Sequence, residues 1–147
     1  MQPSSLTIVD AANVVGSRPD GWWRDRAGAA RRLVESIARA HPFDGETAVV
    51  LEGKARAGVP EGDLDGVRVI HAAASGDDRI VEIVASEAAL PEARPVTVIT
   101  SDRELRDRVA AHGARSLGVR ALRSQLETDD RPPQRNGGAD RPNADRA

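Results

Sequence analysis

The chain has no cysteine and no tyrosine, and lysine occurs once, at Lys54, among 21 basic residues. The lack of cysteine excludes disulfides, thiolate metal sites and a cysteine nucleophile, and it fits a cytoplasmic protein. Aromatic residues make up 2% of the 147 positions, so the core has to be built from Val, Ala, Leu and Ile. Runs of such residues suit buried parallel strands. No apolar run approaches the roughly 20 residues that span a bilayer. The opening Met1-Gln2-Pro3-Ser4-Ser5 carries no positive segment of the kind that begins a signal peptide. No Gly-x-x-x-x-Gly-Lys occurs, which excludes a P-loop. A nucleophilic-aspartate phosphatase or phosphoreceiver needs a lysine near its site, and Lys54 falls in a loop. The formal net charge of −2 means that the overall field does not draw nucleic acid in, so any basic surface must be local. Arginine forks fit phosphate well, although a GC-rich coding sequence accounts for most of the bias against lysine.

What is present is an alternation of apolar runs and amphipathic segments. Residues 6–9, 47–51, 67–70 and 96–100 read as strands, with a short fifth at 114–119. Residues 24–40, 77–89 and 102–111 read as helices, and 121–126 as one or two further helical turns. Pro42 ends the first helix and Gly113 the third. Residues 11–23 and 53–66 read as loops. This order implies a three-layer α/β/α domain around a mostly parallel sheet of four to five strands. The domain is expected over 1–126. Residues 127–147 are almost devoid of apolar side chains and read as a disordered polar tail.

Four aspartates fall where such a sheet gathers them. Asp10 ends the first strand, Asp77 and Asp78 open the second helix, and Asp102 follows the fourth strand. Ligands of open α/β sheets bind beyond the carboxyl ends of the strands, where strand order reverses. Carboxylates gathered there repel one another unless a cation lies between them, and oxygen donors suit Mg²⁺ or Mn²⁺. Each acid also has a local explanation. Asp10 can close an Asx-turn. Ser75 with Asp78, and Ser101 with Glu104, spell helix caps. The inference rests on the acids meeting at one edge of the sheet. Asn13 could position a metal-bound water or bond the loop backbone. Glu82, one turn after Asp78, is either a supporting carboxylate or a partner for Arg79 or Arg103. Glu52, ending the second strand, is a further possible member. His41, His71 and His112 read as structural or surface residues.

The segment Gly21-Trp22-Trp23-Arg24-Asp25-Arg26 holds both tryptophans of the chain. Stacking on an aromatic is worth roughly 1–3 kcal/mol per base, and Arg24 and Arg26 could hold phosphates. At least one of Trp22 and Trp23 is expected to cap the core instead. Arg18, Arg24, Arg26, Arg31, Arg32 and Arg103 could form a basic rim.

Thr7-Ile8-Val9-Asp10-Ala11-Ala12-Asn13-Val14-Val15-Gly16 resembles the opening strand and loop of the NYN domains, in their YacP-like branch, which are PIN-like ribonucleases. Gly76-Asp77-Asp78-Arg79-Ile80-Val81-Glu82 and Val98-Ile99-Thr100-Ser101-Asp102-Arg103-Glu104 look like the second and third acidic motifs of that group. The tryptophan segment looks like a signature of an actinobacterial subgroup. The resemblance covers residues 6–126. It implies a Rossmann-like parallel sheet and Mg²⁺- or Mn²⁺-dependent hydrolysis of RNA. It also implies Asp10, Asp78 and Asp102 as the primary acids, Asp77 as the alternative second acid and further ligand, and Asn13, Glu82 and Ser101 as accessory residues. Trp22, Trp23, Arg24, Arg26 and Arg103 become candidates for binding RNA. The family often has Gly directly after its first Asp, and Ala11 stands there in this chain. Two other functions compete: a nucleotide phosphohydrolase using the same acids, and a non-catalytic module that binds RNA or protein.

Overall fold

Strand β1 (Leu6–Asp10) is buried along its whole length, as an unbroken apolar run at the centre of a parallel sheet must be. A computed structural model describes residues 4–17 and 21–130 of the chain. In it β1 lies between β2 (Glu46–Leu51) and β5 (Val96–Ile99), parallel to both. Beyond β2 come β4 (Val67–His71), parallel, and then β3 (Gly62–Leu64), antiparallel. Beyond β5 lies β6 (Arg115–Leu117), parallel. The order is β3-β4-β2-β1-β5-β6. The chain builds outward from β1 through β2 and β4, then returns across the sheet to lay β5 on the other side of β1. Strand order therefore reverses between β1 and β5.

Helices α1 (Ala11–Gly16), α2 (Arg26–Ala40) and α5 (Val119–Asp130) pack on one face with Val9, Val49, Leu51 and Ile99. Helices α3 (Gly76–Ala88) and α4 (Arg103–Ala110) pack on the other with Ile8, Ala48, Val50 and Val98. Neighbours in sequence thus divide between two cores, as the period of two in a strand requires. The result is the expected three-layer α/β architecture, with six strands rather than four or five.

Four elements depart from the sequence reading. Strand β3 falls inside the expected loop 53–66. It is held by a two-residue turn at Asp65 and Gly66, which both have positive φ, 49° and 90°. Asp-Gly is the preferred pair for such a type I′ hairpin turn. Helix α1 occupies the start of the expected loop 11–23, because Asp10 ends β1 and caps the next helix with one side chain. Helix α5 begins at Val119 and continues past Leu126 to Asp130; the rest of the expected tail lies outside the described residues. In the first long helix the start is Arg26 rather than residue 24. Trp22–Arg24 form a separate 3-10 turn, and Asp25 Oδ1 caps α2 by accepting from Gly28 N–H at 2.9 Å. Among the described residues no helix is long and apolar enough to cross a membrane.

Candidate active site

Asp10 leaves the sheet at the point where strand order reverses. It is only 4% exposed, and each oxygen is held. Oδ2 accepts from Thr100 Oγ1 at 2.9 Å, and Oδ1 from Asn13 N–H at 3.4 Å. Burial pushes its carboxyl up to about 6. The Thr100 and Asn13 bonds oppose that rise, while the charges of Asp77 and Glu52 add to it. Asp10 is thus a weak acid in a place that suits a charge only when another charge offsets it.

Thr100 is fully buried and links two of the acids. Its hydroxyl donates to Asp10 and accepts from Asp102 N–H at 3.1 Å. Asp102 then caps α4, Oδ1 accepting from Leu105 N–H at 3.1 Å. Asn13 Oδ1 accepts from Ser101 N–H at 2.7 Å, so the amide ties the start of α1 to the end of β5. That is the loop-bonding alternative for Asn13. Ser101 Oγ turns away from the acids and accepts from Val119 N–H at 3.0 Å, anchoring α5.

The second acidic position comes from α3. Ser75 caps this helix by accepting from Asp78 N–H. Asp77 and Asp78 stand side by side, but successive helical residues point about 100° apart. Asp77 faces the site: burial and the charges of Asp102 and Glu52 raise its carboxyl. Asp78 faces α4, where Arg108 donates to its Oδ1 at 3.0 Å between exposed side chains. The pocket is therefore supplied by Asp77 rather than by the expected primary acid Asp78. Glu82 is also elsewhere, in an exposed pair with Arg79 at 3.3 Å.

Glu52 completes the group. It follows β2, and its Oε1 accepts from Gly76 N–H at 2.7 Å, joining the sheet to the first turn of α3. Asp10, Glu52, Asp77 and Asp102 line one shallow open cavity of ≈ 250 Å³, with Ala12, Asn13 and Ser75. The donors are all oxygen, the kind that hard divalent cations take. Among the described residues, no three acidic or histidine side chains draw together closely enough to clasp an ion. The histidines take no part: His71 bonds the Val59 carbonyl at 2.8 Å through Nε2, and His41 closes α2 in a left-handed conformation.

Trp23 is 54% exposed, so it is not the tryptophan expected to cap the core. The Arg24 guanidinium lies 5.7 Å from its ring centroid. The side chain of Trp22, and all of Arg18, lie outside the described residues. Arg24, Arg26 and Arg103 are exposed. Sequence reasoning passed over Thr100, because a threonine in a β-branched run reads as strand. Glu52 was legible as a strand-end acid.

The model of the YacP-like NYN domain matches residues 7–144. The chain belongs to the YacP-like NYN family. Its fold is accordingly a PIN-like nuclease fold, and the resemblance carried by the Asp10, Asp77-Asp78 and Asp102 segments is confirmed at the level of family. The crystal structure of Rae1 (YacP) from Bacillus subtilis is similar, with a TM-score of 0.66 at 21% identity, over 84% of this chain and 74% of that one. A tryptophan-to-leucine mutant of the same protein gives 0.65 at 20% identity, over 84% and 76%. No curated protein matches the chain. The family match extends past the expected domain boundary at residue 126, into the segment read as tail.

Proposed function

We propose that this NYN domain is a metal-dependent ribonuclease that hydrolyses RNA phosphodiester bonds. The observation that carries the proposal is the convergence of four carboxylates, from four separate stretches of chain, on one open cavity at the reversal of strand order. Asp10, Asp77 and Asp102, with Glu52, would hold Mg²⁺ or Mn²⁺. Such an ion lowers the pKa of a bound water and offsets charge on the leaving oxygen.

The protein supplies position. Thr100 fixes the Asp10 carboxylate and the Asp102 backbone relative to each other. Asn13 holds the loop that carries Asp102 through Ser101 N–H. Glu52 fixes the first turn of α3 and so the place of Asp77. The cavity is open and lined mainly by polar groups, which suits the backbone of a polymer better than the enclosure of a single nucleotide. Exposed Trp23 with Arg24 offers a base a stacking surface, and Arg26 and Arg103 would hold flanking phosphates.

The test is Mn²⁺-dependent cleavage of a labelled single-stranded RNA by wild type and Asp10→Asn. The variant is expected to fold and to lose cleavage. Undiminished cleavage by a pure Asp10→Asn preparation would remove the assignment.

A further inference from the structure

Beside the acidic cavity lies a second one of different character. It is a slot of ≈ 120 Å³ between α1, α2 and the 3-10 turn at Gly53–Gly58. Ala12, Val15, Ala30 and Ala55 form its walls, with Glu52 and the exposed Arg26 contributing the polar groups. Ala12 and Glu52 line both cavities, so the two adjoin.

The slot is preformed. Gly58 packs so closely on α2 that a Cβ there would strike the Ala27 carbonyl. Val59, the next residue, is buried. Arg56 pins the turn by donating from Nε to the Gly53 carbonyl at 3.1 Å and from Nη1 to the Ala72 carbonyl at 3.3 Å. The turn therefore cannot close on the slot or swing away from it without breaking these contacts.

We propose that this slot receives one pyrimidine base of a single-stranded RNA whose adjoining phosphate lies in the acidic cavity. The proposal rests on the ribonuclease reading and adds to it a choice of base. Size argues for a single ring entered edge-first: an enclosed apolar cavity of about 150 Å³ accepts one benzene, and this slot is slightly smaller but open on one side. The two fused rings of a purine exceed it. Chemistry argues for a base rather than an aliphatic group. The walls are apolar, and Arg26 at the edge suits a phosphate. Trp23 and Arg24, just before α2, offer a stacking face for a neighbouring base.

The experiment uses a panel of short RNAs that differ at one nucleotide. Cleavage is measured with Mn²⁺ for wild type, Ala55→Leu and Val15→Ala. Binding of oligouridylate and oligoadenylate is measured by fluorescence anisotropy in the Asp10→Asn background. Wild type is expected to favour a pyrimidine at one fixed place next to the cut by roughly tenfold, the scale of one stacked base. Ala55→Leu fills the slot and should abolish that preference, weakening oligouridylate binding several-fold and leaving oligoadenylate unchanged. Val15→Ala widens the slot and should raise tolerance for purine. Either substitution suffices if the other fails to fold. Cleavage with no base preference, or a preference unmoved by both variants, overturns the slot and leaves the ribonuclease reading standing. Binding discrimination that Ala55→Leu removes, in a protein that cleaves nothing, upholds the slot and overturns the ribonuclease reading.

Discussion

Burying Asp10 costs the fold stability. Its carboxyl titrates near 6 in the folded protein against 3.8 in an unfolded chain. Between those values the folded state binds the proton more tightly, so stability falls as pH rises through that window and the whole penalty is present above it. Asp10→Asn removes the charge. With metal chelated at pH 7.5, the variant is expected to be more stable than wild type by roughly 1–3 kcal/mol, and the gain should vanish near pH 4. Thermal melts of both proteins from pH 4 to 8 check this. Added Mn²⁺ should then raise the melting temperature of wild type and leave the variant in place, a consequence of ligand linkage. The paired aspartates on α3 give a second prediction at the same scale. Asp77→Asn should lower cleavage at least a hundredfold, of the order seen when a group on the developing charge is lost. Asp78→Asn should change it less than about threefold, because an exposed pair such as Asp78 with Arg108 is worth little. Equal losses in the two rates would put Asp78 back in the pocket.

Single elements hold the site through short local devices, and these explain what could be read in advance. The central strands were legible because each is a contiguous β-branched run, and the acids at their ends followed from the topology. Strand β3 was not, since it has three residues, two of them exposed. Only the Asp65-Gly66 pair signalled its hairpin. Helix α1 was hidden for a similar reason: it has six residues and starts directly on a strand, capped by the residue that ends that strand. The choice between Asp77 and Asp78 was beyond the sequence, because the partner that decides it, Arg108, sits 30 residues away on α4. Thr100 is the device that joins elements most directly. Thr100→Val preserves its shape and removes both hydrogen bonds. It should cost about 1–3 kcal/mol for the groups left unpaired, measured by urea unfolding. It should also move the acid limb of the cleavage profile to higher pH, since the Thr100 bond is what restrains the Asp10 carboxyl from rising further. A stability loss with an unmoved profile would make Thr100 a packing residue only.

Across the whole molecule, the end of the sheet away from the acids is secured by charge. Arg94 donates to Glu87 through two nitrogens, at 2.9 and 3.0 Å, and pairs with Glu46 at 2.9 Å. This joins the segment before β5 to the end of α3 and the start of β2. The guanidinium holds Glu87 below the usual carboxylate range. The stability from that pair is present at neutral pH and lost as pH falls through the folded value, opposite in sign to Asp10. Arg94→Leu should destabilise the domain by about 1–2 kcal/mol, the scale for a partly exposed charge cluster. Cleavage by the folded fraction should be untouched, because the cluster lies at the opposite end of the strands. A chemical denaturation curve together with kcat separates the two effects.

The sheet is bounded by β3 and β6, three residues each. Long flat margins invite a second chain to add its own backbone, and very short ones refuse it. Asp65 and Gly66 bend one margin back on itself and Gly118 follows the other. Concentrated preparations should therefore resist fibril-like stacking, despite interior strands whose Val- and Ile-rich runs would aggregate readily if laid bare.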